Sequence, residues 1–371
     1  MPGELMVRAG GKEYPILVGS GSYKEALPEI LRRLGPDKVA VVSHPPLREM
    51  HGKDLEEALR DELPRHGRVI WFTFPEGEEN KTLGTVTEGY RFLLRESLTR
   101  EDMILAFGGG VVGDLAGFLA ATYMRGVRYL QLPTTLMSMV DSSIGGKTGV
   151  DLPEGKNIVG CFYHPEAVIA DVSVLRTLPE REVLSGMAEV AKYGFLYDPE
   201  ILREMEGWPE GRPPEGYDFA PLVRRCAAHK ARVVGEDEMD LKGIRAFLNY
   251  GHTFGHALEA AAGYRMLRHG EAVALGMIMA SRMAEWSGRA RVPLVERHLR
   301  VLLPLLRDIP RPLEVSARDV LGFMEADKKR GRSLRFVLLR EWQSPELVES
   351  PPPDLVWETV ERTLKDLHAA R

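Results

Sequence analysis

Two cysteines in 371 residues, Cys161 and Cys226, are too few for a disulfide framework or a cysteine-rich metal site. Any bound metal must therefore draw its ligands from histidine and carboxylate. Long apolar runs are also missing. Nothing approaches the ~20 consecutive apolar residues of a membrane span, and no basic-then-apolar leader stands at the N-terminus. No membrane partner is expected, and the expected location is the cytoplasm. Positive charge is not in excess either: the formal net charge is −5, so nucleic acid is not an expected partner. Aromatics at 8% and charged residues at 28% leave an ordinary globular composition. What the chain has in quantity is glycine, 37 residues, several of them beside histidine, lysine and the ends of apolar runs.

The most suggestive stretch is Asn249-Tyr250-Gly251-His252-Thr253-Phe254-Gly255-His256, followed by His269-Gly270-Glu271. His252 and His256 are four apart, which puts both on one face of a helix over 246–262. Neutral imidazole is a common zinc ligand, so the spacing suits a metal; two hydrogen-bonded helix histidines are the other reading. A third ligand is offered by Gly186-Met187-Ala188-Glu189-Val190-Ala191-Lys192. Glu189 and Lys192 are three apart, ordinarily a solvated ion pair. Their neighbours are apolar, and a carboxylate in that company needs a strong partner, of which a metal is one. Glu189, His252 and His269 make the two-imidazole, one-carboxylate set of an open zinc site. His256 is then left over for proton transfer.

The first half alternates strands and helices. A hairpin (5–7 with 14–18) precedes a helix at 23–34, a strand at 39–43, a helix at 54–63, a strand at 69–74, a helix at 82–95 and a strand at 103–107. This pattern predicts a doubly wound, mostly parallel sheet with ligands at the carboxyl ends of its strands. The last strand runs into Gly108-Gly109-Gly110-Val111-Val112-Gly113-Asp114, which satisfies G-x-G-x-x-G and opens a helix at 111–121. Such glycines let backbone amides and a helix N-terminus reach a pyrophosphate, predicting a Rossmann-like dinucleotide site; a tight strand-to-helix turn is the plainer alternative. No acid stands about 20 residues on, where one usually holds the ribose. Glu78 and Lys81 are the candidates for the adenosine end instead. Gly145-Gly146-Lys147-Thr148 is like the tail of a P-loop, but Asp141 stands where the first glycine should, so that motif fails. Lys147, Lys156 and Asn157 still suit an anion clamp, as they would a solvated hairpin.

After a strand at 168–171 the alternation stops. Stretches 179–193, 219–236, 246–262, 271–287, 293–305 and 355–368 read as helices, with 206–218 a loop. The expected organisation is an α/β, dinucleotide-binding domain over 1–176 and a mainly α-helical metal- and substrate-binding domain over 177–371. Further cations recur in the second half at Lys230, Arg245, Lys328 and Lys329. A dinucleotide, a metal and several cations predict redox chemistry on an anionic polyhydroxy substrate.

Taken in order, several blocks resemble those of the 3-dehydroquinate synthase family: residues 75–81, 108–114, Pro133-Thr134-Thr135-Leu136, 141–148, 155–160, the Glu189 and His252 segments, 269–273 and Asp327-Lys328-Lys329. They span 75–329. The resemblance implies conversion of 3-deoxy-D-arabino-heptulosonate 7-phosphate, a sugar phosphate, to 3-dehydroquinate plus phosphate in the shikimate pathway of aromatic amino acid biosynthesis. A hydroxyl would be oxidised transiently by NAD, phosphate would leave by β-elimination, and the hydride would return. Ring opening and an intramolecular aldol closure would follow. Carried onto this sequence, the metal ligands would be Glu189, His252 and His269, for Zn2+ with Co2+ as a possible substitute, and His256 would relay a proton. Lys147, Asn157, Arg245, Asn249 and Lys328 or Lys329 would grip the phosphate and nearby oxygens, with Arg125 reaching across a homodimer. Lys192 and Lys230 would face the substrate carboxylate and hydroxyls, and Asp141 the ring. NAD would lie on Gly109, Gly110 and Val111, with Asp114, Thr134, Thr135 and Lys156 near ribose and nicotinamide and Glu78 and Lys81 at the adenosine.

Two departures stand out from that pattern. Ser43-His44-Pro45 replaces the acid that often follows the strand at 39–42 in the family and holds the adenosine ribose, which leaves the choice of NAD over NADP open; Tyr250 occupies a position usually aliphatic. Three alternatives remain: another sugar-phosphate cyclase such as 2-deoxy-scyllo-inosose synthase, a glycerol dehydrogenase-like metal-dependent alcohol dehydrogenase, and a non-catalytic regulator binding NAD and metal. Arg245 and Lys230 suit a substrate carboxylate and favour the dehydroquinate reading.

Overall fold

The computed structural model describes residues 5–310, 313–329 and 334–369. It divides into two compact units, Met1–Leu178 with Asp218–Met239, and Pro179–Tyr217 with Asp240–Arg371.

The first unit is organised by a seven-stranded sheet. A hairpin of β1 (Leu5–Ala9) and β2 (Lys12–Gly19) is followed by α1 (Ser22–Leu34), β3 (Lys38–Ser43), α2 (Pro45–Arg60), β4 (Arg68–Thr73) and α3 (Leu83–Arg95). Then come β5 (Met103–Gly108), α4 (Gly110–Thr122), β6 (Arg128–Pro133), a separate hairpin of β7 (Lys147–Leu152) and β8 (Gly155–Phe162), and β9 (Val168–Asp171). The order across the sheet is β1-β2-β9-β6-β5-β3-β4, parallel except for the β1–β2 pair. The expected doubly wound arrangement is the one observed. Its cause is plain in β3, where Val39, Ala40, Val41 and Val42 are all fully buried, because a parallel sheet is covered on both faces. Ala40, Val42, Ile104 and Ala106 pack with Leu115, Ala116 and Leu119 of α4. Val39, Val41, Leu105 and Phe107 face the other way, onto Tyr23, Leu27 and Leu31 of α1. From β3 the chain moves on to β4, whereas from β5 it moves in the opposite direction to β6. The carboxyl ends of β3 and β5 therefore flank the switch point at which such sheets bind ligands. Helix α2 begins at Pro45, earlier than the 54–63 pattern suggests, because proline is suited to the first helical turn.

The second unit opens with α5 (Glu180–Leu196) and α6 (Pro199–Glu206). The latter, unexpected in the sequence, carries an Asp198 side-chain cap and Pro199 at its start. Helix α7 (Ala220–Glu236) stands among the second-half helices in sequence but belongs to the first unit, where Arg224 donates to the Val18 carbonyl at 2.9 Å. The second unit resumes with α8 (His252–Ala261), α9 (His269–Trp286), α10 (Val295–Leu302), α11 (Ala317–Lys329), a hairpin of β10 (Arg335–Glu341) and β11 (Ser344–Glu349), and α12 (Pro353–Ala369). Helix α9 is buried from Gly270 to Ala284, which accounts for its nearly all-apolar sequence. Glycine sets how closely its neighbours approach: a Cβ on Gly270 would lie 1.9 Å from the Ser185 carbonyl oxygen, and one on Gly276 2.0 Å from that of Gly251. The helix expected over 246–262 is broken. A 3-10 turn, Arg245–Asn249, leads to Gly251 at φ 82°, a conformation glycine adopts without strain, and α8 starts afresh at His252.

Candidate active site

Three helices of the second unit converge on one carboxylate. Glu189, midway along α5, is 1% exposed, and neither of its carboxylate oxygens accepts a hydrogen bond. His252 and His269 are the first residues of α8 and α9. Their Nε2 atoms lie 3.4 and 3.7 Å from Glu189 Oε1, and one donor atom from each of the three falls within 4.8 Å of the others. Lys192, one turn along α5 and equally buried, forms an ion pair with Glu189 Oε2. A carboxylate buried without hydrogen bonds is costly by several kcal/mol. Two imidazole nitrogens and one carboxylate oxygen fit a divalent cation, zinc above all.

Burial and neighbouring charges act differently on the two imidazoles. Burial, with Lys192 and His269 as neighbouring charges, drives the His252 imidazole well below its ordinary range, so the ring is neutral. Burial acts the same way on His269, but the hydrogen bond and charge of Glu259 outweigh it and raise the value. His252 Nδ1 lies 3.2 Å from the Tyr250 carbonyl oxygen, and His269 Nδ1 lies 3.2 Å from Glu259 Oε2. His256 is exposed, its ring 5.4 Å from that of His252 and 5.8 Å from that of His269. A second donor set overlaps the first, made of His256, Glu259 and His269. Before α8, Arg245 is buried and Asn249 exposed. Lys328 and Lys329 end α11, but their side chains lie outside the described residues.

The first unit holds the glycine turn. Gly109 caps α4, and a Cβ on Gly113 would lie 2.9 Å from the Gln131 side chain, so this glycine lets the helix close on β6. Thr134 N–H donates to the Gly108 carbonyl at 2.9 Å, and Thr135 Oγ1 accepts from Ser138 N–H at 3.2 Å. Val111 and Asp114 lie in the first turns of α4. Lys81 is 3% exposed and its ammonium touches Asp114 Oδ2 at 3.1 Å, Asn157 Oδ1 at 2.7 Å and Glu78 Oε1 at 3.1 Å. Burial alone would lower the Lys81 value, but Asp114, Glu78 and Asp151 raise it. Burial pushes the Asp114 carboxyl up to about 6 against the pull of Lys81.

Elsewhere in this unit the Lys230 ammonium donates to Asp141 Oδ1 at 2.8 Å, so α7 and the turn Ser138–Ser142 bring two expected site residues together. Lys147 opens β7 and is exposed; Lys156 and Asn157 follow on β8, Asn157 at φ 55°. Arg125 is exposed on a turn where Met124 (φ 48°) and Arg125 (φ 63°) are both left-handed. Non-glycine residues held so cost about 1–3 kcal/mol each, and such strain concentrates where a side chain must be presented. At the end of β3, Ser43 Oγ donates to the Phe107 carbonyl at 2.7 Å and His44 Nδ1 lies 2.9 Å from the Phe74 carbonyl oxygen. These side chains are tied to backbone and supply no carboxylate at the switch point. Sequence reasoning passes over Glu259, although His252, His256 and Glu259 at i, i+4 and i+7 share one helical face.

Residues 71–185 match the family model described as 3-dehydroquinate synthase N-terminal, and residues 186–330 the one described as 3-dehydroquinate synthase C-terminal. The chain is 45% identical over 340 residues to the 3-dehydroquinate synthase of Geobacter metallireducens, covering 90% of this chain and 92% of that one. It is 41% identical over 358 residues to the 3-dehydroquinate synthase of Leifsonia xyli, covering 95% and 96%. Its fold is similar to that of 2-deoxy-scyllo-inosose synthase complexed with carbaglucose-6-phosphate, NAD+ and Co2+, with a TM-score of 0.85, 27% identity, and 97% and 99% of the two chains covered.

Proposed function

The chain belongs to the 3-dehydroquinate synthase family, and we propose from that premise how its own residues divide the family's work. It converts 3-deoxy-D-arabino-heptulosonate 7-phosphate to 3-dehydroquinate and inorganic phosphate, with NAD and a divalent cation as cofactors. When bound, the dinucleotide takes and returns a hydride and the cation polarises the substrate's hydroxyls.

Glu189 is the observation that carries the metal assignment: a buried carboxylate without a hydrogen bond, paired with Lys192 through Oε2 and faced through Oε1 by two imidazole Nε2 atoms. With His252 and His269 it holds the cation. His256, exposed beside them, takes the proton of the hydroxyl being oxidised at a ring nitrogen. Lys147, Asn157, Arg245, Asn249 and the Lys328–Lys329 pair bind phosphate and neighbouring oxygens, and the strained turn presents Arg125 to the substrate of a second protomer in a homodimer. Lys192 and Lys230 meet the substrate carboxylate and hydroxyls, and Asp141, which accepts from Lys230, faces the ring. Gly109, Gly110 and Val111 cradle the pyrophosphate; Asp114, Thr134, Thr135 and Lys156 serve ribose and nicotinamide, and Glu78 and Lys81 the adenosine end. In this reading 1–176 is the NAD-binding region, 177–371 the metal- and substrate-binding region, and the reaction is cytoplasmic.

The test follows phosphate release from the heptulosonate phosphate with NAD+ and Zn2+ present, while absorbance reports NADH. Stoichiometric phosphate without net NADH, abolished by chelator and by His252→Ala, is the expected result. No phosphate from this substrate would overturn the assignment. Release from a hexose phosphate instead would indicate an inosose-type cyclase, and NADH accumulating on simple polyols a dehydrogenase.

A further inference from the structure

We infer that Glu259 is a positioning residue that holds the proton on His269 Nδ1 and so turns the His269 Nε2 lone pair toward the cation. The inference rests on the metal reading above. Two overlapping donor sets share His269: Glu189–His252–His269, and His256–Glu259–His269. A neutral imidazole carries one proton and one lone pair, so His269 can ligate through only one nitrogen. Nδ1 lies 3.2 Å from Glu259 Oε2, and Nε2 lies 3.7 Å from Glu189 Oε1. Lys192 pairs with Glu189 Oε2, and the buried Oε1, without a hydrogen bond, is the oxygen that both Nε2 atoms face. The lone pair therefore belongs on Nε2 and the proton on Nδ1, where the buried Glu259 carboxylate accepts it. This is how an outer carboxylate fixes the tautomer and orientation of a metal-bound imidazole. His252 is arranged in parallel, its Nδ1 against the Tyr250 carbonyl. The His269 partner is a full negative charge, so its loss is felt more strongly.

Metal affinity of metal-stripped protein, read by chelator competition with Zn2+, tests the inference. Glu259→Gln is expected to weaken binding about 10–100-fold, with Glu189→Gln weaker still. In a His269→Ala background, Glu259→Gln should change affinity no further, a coupling that a merely structural carboxylate would not produce. Unchanged affinity in Glu259→Gln, or an undiminished effect without His269, would overturn the role. A loss in Glu259→Gln larger than in Glu189→Gln would make Glu259 a ligand and overturn it as well. Intact affinity in Glu189→Gln would overturn the metal reading itself. Should Glu259→Gln not fold, the unaltered protein decides: loaded with 113Cd and carrying 15N-histidine, it should show coupling to His269 Nε2. Coupling to Nδ1 would refute the inference.

Discussion

Each unit buries a cluster of charges, and the two clusters are balanced in opposite ways. In the first, an ammonium has three hydrogens and three partners: Lys81 reaches Asp114, Asn157 and Glu78, with Asp151 at 3.8 Å. Its donors are spent within the unit. In the second, a carboxylate has lone pairs that no hydrogen bond uses, and two Nε2 atoms aim at the same oxygen. Both clusters are expensive to bury, since desolvated ions cost several kcal/mol apiece. One recovers that cost from its own side chains; the other sets Lys192 on Glu189 Oε2 and leaves Oε1 to two imidazoles. The contrast teaches that two sites can hold buried charge differently: one balances it among its own side chains, the other leaves a carboxylate oxygen facing two imidazole nitrogens.

The widest separation between the clusters should come from Glu189→Gln. Loss of a metal ligand removes several kcal/mol of charge stabilisation, a fall on the order of 10^3-fold in phosphate-release rate, with metal content falling in parallel by elemental analysis. The counterpart is Lys81→Met, which leaves Glu78, Asp114 and Asp151 facing one another without their cation. Urea unfolding should show about 3–5 kcal/mol of lost stability, while Zn2+ affinity stays where it was. A change in affinity instead would show that the two clusters are coupled.

Gly276→Ala should act on the second cluster alone. The new methyl would meet the Gly251 carbonyl oxygen at 2.0 Å, pushing α8 from α9 and so His252 from His269. A cost of about 1–3 kcal/mol in unfolding is expected, together with weakened metal binding by chelator competition. The smallest effect concerns His298, fully buried, whose Nε2 lies 2.7 Å from the Tyr250 hydroxyl. Burial pushes its value down to about 3. Between that value and the ordinary one near 6.5 the unfolded chain binds a proton that the folded chain does not, so stability falls as pH drops through this window. A contribution of about 1.5 kcal/mol is expected to be lost between about pH 6.5 and 5. Unfolding measured across that range should show a shallower acid slope in His298→Gln.

Much of the fold and part of the site are legible in the chain's own pattern. The β-branched runs at 39–43 and 103–107 read as buried parallel strands because side-chain burial on both faces leaves a continuous apolar signature in the chain. Glu189, His252 and His269 can be named because an acid in apolar company and histidines beside glycine are locally anomalous. Their spatial proximity cannot, because it depends on α5, α8 and α9 meeting at glycines whose partners lie far away in sequence. Tyr250 reads in sequence as a packing change; folded, its hydroxyl meets His298 and its carbonyl faces His252.

What the sequence by itself determined is the kind of each element and the kind of chemistry: alternation for the sheet, a glycine turn for a dinucleotide, a carboxylate and imidazoles for a cation. Only the tertiary structure decided the partners. It broke the 246–262 helix at Gly251, set α7 in the first unit, used every donor of Lys81 and put Glu259 behind His269. Period and propensity act over a few neighbouring residues. Which nitrogen faces which carboxylate is fixed by contacts between segments that no local period encodes.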